Sequence, residues 1–282
     1  MSNEAVDSFG RDGLRFDVLD AGPADAGPDT ETVLLLHGFP QTSASWAAVS
    51  PRLHAAGLRT LAPDQRGYSP GARPQGRRAY RVEELVDDAA ALVEGCGAGS
   101  VHVVGHDWGA VVAWLLAARH PELVRTVTGV SVPHPGAFVR AMGTSSQALH
   151  SWYMGFFQLP GVPELALGSE ERMVAVLRRA GQSPEVAARD AAALSGHLTG
   201  PLNWYRALPF GSPRTQQLPV HRPAMMVWSD GDSFVTRAAV EHNAAFCRAG
   251  HRLEVLAGVS HWIPDEVPDR LATLVVDHVS GA

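Results

Sequence analysis

Short, almost wholly apolar runs alternate along this chain with longer amphipathic ones. The apolar runs are "LRFDVL" (14–19), "TVLLL" (32–36), "LRTLAP" (58–63), "VHVVG" (101–105), "VRTVTGV" (124–130), "AMMVWS" (224–229) and "RLEVLA" (252–257). Several show no polar alternation, the pattern of strands covered on both faces in a parallel sheet. Between them "RVEELVDDAAALVEG" (81–95) and "AVVAWLLAARH" (110–120) predict helices. Strand and helix in turn predict a doubly wound α/β sheet. The first two runs, joined by the turn-forming "AGPADAGPDT" (21–30), predict an antiparallel edge hairpin.

The rhythm breaks between about Pro133 and Pro223. That stretch is rich in Met, Trp, Phe and Pro, reads as helical, and is flanked by the Pro-marked turns "SVPHPG" and "LPVHRP". It predicts a helical insertion over the carboxyl end of the sheet, where α/β proteins place their sites. The expected organisation is a core in two parts, 1–132 and 223–282, with a helical cap at 133–222.

Composition narrows the chemistry. A chain of 282 residues with 45% hydrophobic and 18% charged residues is long enough for one sizeable core plus a lid. All 23 basic residues are Arg, so Schiff-base, pyridoxal and Walker-type phosphate chemistry lack their lysine. A net charge of -6 disfavours nucleic acid and anionic membranes as partners. The one basic run, Arg66, Arg73, Arg77, Arg78 and Arg81, reads as a solvated loop and helix start. Cys96 and Cys247 form neither a metal spacing nor a disulfide framework. "MSNEAVDSFGRDG" carries no secretory pattern, and "AVVAWLLAA" is too short to span a bilayer. The chain is therefore expected to be cytoplasmic, without metal or cofactor.

The most informative stretch is "VHVVGHDWGAVVAWLLAARH" (101–120), a strand, a tight turn and a helix with Asp107 at the apex. As an isolated motif, G-x-D-x-G fits a helix cap as well as a nucleophile. In this setting the flanking Gly105 and Gly109 are needed because two backbones meet, and the apical side chain is pushed out above the sheet. A carboxylate there meets helix N–H groups and should stay ionised. Downstream, "AGVSHWIPDEVPDRL" places His261 after the last strand, and "MMVWSDGDSFV" offers Asp230 and Asp232 after the strand before it. Nucleophile, acid and histidine in that chain order match the α/β-hydrolase triad. The turn "HGFP" (37–40) adds an oxyanion hole in which the Phe39 and Trp108 N–H groups converge.

Taken together, "HGFP" (37–40), "DQRGYS" (64–69), "GHDWGA" (105–110), "SVPHPG" (131–136), "WYMGFFQLPGVPE" (152–164), "NWYR" (203–206), the "DGD" turn and "SHW" (260–262) resemble α/β-hydrolases with an aspartate nucleophile, most closely the epoxide hydrolases. The resemblance places the orienting acid at Asp232 rather than Asp230 and the ring-opening acids at Tyr153 and Tyr205. One departure is Ser69, where the family usually has Gly. The implied activity is conversion of a small apolar epoxide and water to a vicinal diol through an ester on Asp107. Met154, Phe156, Phe157, Leu159 and Trp204 would line an apolar pocket. The alternatives are a haloalkane-dehalogenase-like hydrolase and a non-catalytic ligand receptor on the same fold. Dehalogenases of that kind usually place Asn where Phe39 stands, and a phenyl ring offers halide no hydrogen bond.

Overall fold

The computed structural model describes residues 5–27 and 30–281. Met1 to Glu4 of the segment read for a secretory pattern lie outside the described residues, as do Pro28 and Asp29 of the predicted turn.

Among the described residues eight strands form one sheet: β1 (Ser8–Arg11), β2 (Leu14–Ala21), β3 (Thr32–Leu36), β4 (Arg59–Pro63), β5 (Val101–His106), β6 (Val124–Val130), β7 (Ala224–Ser229) and β8 (His251–Leu256). Their spatial order is β1-β2-β4-β3-β5-β6-β7-β8. Pairing is antiparallel for β1/β2 and β2/β4 and parallel for the rest. Every residue of β3, β4, β5 and β7 is buried. Neighbouring side chains serve opposite cores, Leu34 and Leu36 one and Val33 and Leu35 the other. This two-sided burial is why polar alternation is missing from those runs.

The predicted hairpin of 14–19 with 32–36 is corrected. β2 turns back on β1 instead, around Asp12 and Gly13, both at positive φ. Asp-Gly at that position is the two-residue turn that matches strand twist. The other edge of β2 pairs with β4, and β3 lies inside the sheet between β4 and β5. The basic run is not uniformly solvated either. Arg66 is buried and clamps both carboxylate oxygens of Asp88 at 2.7 Å, and Arg78 lies over the Phe210 ring at 4.6 Å.

Helices Val82–Gly95 and Trp108–Arg119 cover one face of the sheet, and Ser50–Ala55 and Pro268–Ser280 the other. Between β6 and β7 the chain runs through seven α-helices, from Pro135–Thr144 to Thr199–Arg206. Two of them begin where Ser169 and Ser183 side chains accept N–H groups of the first turn. His134 pins the ends of this insertion together, its Nε2 3.0 Å from the Leu218 carbonyl. Among the described residues no helix is long and apolar enough to cross a membrane.

Candidate active site

Asp107 stands between the last residue of β5 and the first of helix Trp108–Arg119, with φ 52° and ψ −120°. Side chains seldom adopt this left-handed region, and the packing around the turn imposes it. A Cβ on Gly105 would overlap the Gly109 carbonyl, and one on Gly109 would overlap that of Leu36. Strand, helix and the end of β3 therefore meet with no room for side chains, and Asp107 is thrust above the sheet.

Its carboxylate meets donors on one side and a cation on the other. The Phe39 N–H donates to Asp107 Oδ1 at 2.9 Å, and the Trp108 N–H also hydrogen-bonds the carboxylate. Phe39 is held in place by its neighbours. Buried His37 donates from Nδ1 to the Gly38 carbonyl at 3.2 Å and accepts the Gln65 N–H on Nε2 at 3.1 Å. The Phe39–Pro40 peptide is cis.

His261 Nε2 lies 3.5 Å from Asp107 Oδ2, and Nδ1 lies 2.7 Å from Asp232 Oδ2. The other oxygen of Asp232 accepts the N–H groups of Phe234 at 2.7 Å and Val235 at 3.0 Å. Asp230, by contrast, is exposed and accepts the Gly258 N–H at 2.7 Å. Burial alone would push the His261 pKa down. Attraction to Asp232 and Asp107, with hydrogen bonds to both, outweighs it and raises the value to about 10. For Asp107 burial works upward, but hydrogen bonding and attraction to His261 prevail and lower its pKa. The surroundings of His261 thus favour its charged form.

Tyr153 and Tyr205 come from two helices of the insertion, Trp152–Phe157 and Thr199–Arg206. Their ring centroids are 6.1 Å apart. Burial, reinforced by the Asp107 charge, raises the pKa of both phenols, so each remains a proton donor at neutral pH. With Asp107 and Phe234 they line two adjoining cavities of about 300 and 720 Å³. Trp108 and Met154 line the smaller, and Phe39, Phe156, Phe157 and His261 the larger. Leu159 and Trp204 line neither, contrary to expectation. Trp204 is buried against Tyr68 and Trp108 and donates its indole N–H to the Arg66 carbonyl at 2.7 Å.

Some residues around the site had no role in the sequence reading. The backbone carbonyl of His261 accepts from Ser131 Oγ at 2.7 Å and from His106 Nε2 at 3.0 Å. Burial, then repulsion from His261, lowers the His106 pKa to about 4, so the ring is neutral with its proton on Nε2. Gln147 braces the Asp232 turn, donating to the Phe234 carbonyl at 2.7 Å and accepting the Thr236 N–H at 2.8 Å. His106 and Ser131 fall inside "GHDWGA" and "SVPHPG", so their positions were visible although their task was not.

The family model for the alpha/beta hydrolase fold matches residues 31–268. An AB hydrolase superfamily protein of Bacillus subtilis, YfhM, is 34% identical over 95% of this chain and 96% of its own length. Epoxide hydrolase 2 of Caenorhabditis elegans is 31% identical over 90% of this chain and 74% of its own. Epoxide hydrolase A of Mycobacterium tuberculosis is 30% identical over 95% of both chains. The crystal structure of epoxide hydrolase A from Mycobacterium thermoresistibile superposes with a TM-score of 0.81 at 26% identity, covering 97% of each chain. The chain therefore belongs to the α/β-hydrolase family and, within it, is most like the epoxide hydrolases.

Proposed function

We propose that this hydrolase opens an apolar epoxide to a vicinal diol through a covalent ester on Asp107, with residues 133–222 acting as a cap that supplies the acid. The observation that carries the reading is the placement of Asp107, Tyr153 and Tyr205 around the same two cavities, with His261 3.5 Å from Asp107. An epoxide has no carbonyl for a serine to attack, whereas a carboxylate can displace at its sp³ carbon.

In the first half-reaction Asp107 Oδ2, the oxygen not held by Phe39, forms a bond to an epoxide carbon. The carbon–oxygen bond of the ring breaks, and the released oxygen takes a proton from Tyr153 or Tyr205. Ester formation removes one of the two charges that keep His261 protonated. Its pKa falls, and its proton returns to the tyrosinate. Neutral His261, oriented by Asp232, then takes a proton from water as that water attacks the ester carbon. Phe39 and Trp108 N–H groups hold the oxyanion on Oδ1. Collapse expels the diol oxygen, which takes the proton from His261, and the regenerated acid protonates His261 again.

The two free cysteines accord with a cytoplasmic location, which we keep as part of the proposal. A panel of aliphatic epoxides, styrene-type epoxides and haloalkanes, scored for diol and halide, tests the function. Diol from epoxides without halide from haloalkanes is expected. Halide without diol would make the protein a dehalogenase, and turnover of any epoxide excludes the receptor.

A further inference from the structure

Five polar side chains that line neither cavity close on one another. Gln41 Nε2 donates to Asp190 Oδ2 at 3.0 Å and to Asp265 Oδ2 at 2.8 Å. Arg189 Nε donates to Asp190 Oδ1 at 2.8 Å, and its Nη1 to Asp265 Oδ1 at 2.8 Å. Gln182 Nε2 adds a further bond to Asp190 Oδ2 at 2.8 Å. Gln41, Gln182 and Asp190 are buried, and the Asp265 side chain is 9% exposed.

The three segments that meet here are informative. Gln41 lies two residues beyond Phe39, whose N–H holds Asp107. Asp265 lies four residues beyond His261. Arg189 and Asp190 belong to helix Pro184–Ala193 of the insertion. The loop carrying His261 has no regular structure before Ile263 and is tied down bond by bond. Glu266 accepts from the Ser260 N–H at 2.9 Å, and the Trp262 indole donates to the Ala180 carbonyl of the insertion at 2.8 Å. Stability alone does not explain a guanidinium and two carboxylates in such a place. Buried ion pairs are often no better than apolar side chains of the same volume, but they impose one geometry.

We infer that Arg189 and Asp190 are positioning residues of the insertion, which through Asp265 and Gln41 set His261 over Asp107 for the second half-reaction. The inference rests on the reading of His261 as the base of that step. None of the five residues lines either cavity, and none hydrogen-bonds Asp107, so ester formation is spared. Ester hydrolysis depends on where His261 places a water molecule, and a small misplacement there is costly.

The test is rapid-quench mass spectrometry of the parent, Asp190→Asn and Arg189→Gln during turnover of styrene oxide. Hydrolysis of the Asp107 ester should slow on the order of tenfold to a hundredfold. Ester formation should change by less than about threefold, so the adduct accumulates. Arg189→Lys, which keeps a cation, should recover part of the hydrolysis rate. Ser183→Ala removes the cap of the same helix, where Ser183 Oγ accepts the Val186 N–H at 3.2 Å. It should lower the melting temperature and leave both rates unchanged. Should Asp190→Asn fail to fold, Arg189→Gln decides, because that side chain is already 31% exposed. Equal hydrolysis rates in variant and parent, or both rates falling together as in a merely destabilised protein, would overturn the inference. Failure of the functional reading would show separately, as a parent that forms no ester at all.

Discussion

In the proposed scheme Asp107 attacks without a base. Its backbone is held at φ 52°, the Phe39 N–H occupies Oδ1, and His261 Nε2 faces Oδ2. In the proposed displacement at carbon the leaving oxygen needs a proton, and the raised pKa values of Tyr153 and Tyr205 keep both phenols protonated. Either Tyr→Phe substitution should slow ester formation by about tenfold or more, and the double variant by on the order of 10²–10⁴, the range of general acid catalysis. Single-turnover rates with styrene oxide measure this. A double variant as fast as the parent would remove the tyrosines from the scheme.

At the scale of elements, the turn around Asp107 leaves no room for a side chain at Gly105 or Gly109. Gly109→Ala would drive a methyl group into the Leu36 carbonyl, backbone against backbone. The expected loss is about 3 kcal/mol, seen calorimetrically as a fall of roughly 6–12 °C in melting temperature. An unchanged melting temperature would contradict the packing described for the turn. The buried parallel strands were legible because burial on both faces leaves continuous apolar runs such as "TVLLL" and "AMMVWS". The edge was less so. β1 is four residues long and only half-buried, so "SFGR" carries no hydrophobic pattern, and only the Asp12-Gly13 turn marks it. Asp107, Asp232 and His261 were legible because each follows a strand at a marked turn. The Gln41–Arg189–Asp190–Asp265 cluster was not, since its bonds join residues 149 and 224 positions apart with no motif between them.

The whole molecule brings two layers of the fold to one point, the core carrying Asp107 and His261, the proposed nucleophile and base, and the insertion carrying Tyr153 and Tyr205. Its stability should report the charge at that point. His261 has a folded pKa of about 10, above its ordinary value of about 6.5. A raised pKa stabilises the fold fully below about 6.5, and this contribution is lost as pH rises through about 10. Melting temperatures of the parent should therefore fall between pH 7 and 10, more steeply than those of His261→Gln. Parallel curves would mean that His261 is not an imidazolium at rest. The most direct test of the account uses the same variant. His261→Gln retains the ionised Asp107 and both tyrosines but has no base for water, so ester formation proceeds and hydrolysis stops. Intact-mass spectrometry after mixing with styrene oxide should show one substrate mass added per chain, and peptide mapping should place it on Asp107. An unmodified His261→Gln protein, under conditions where the parent forms diol, would contradict the covalent mechanism.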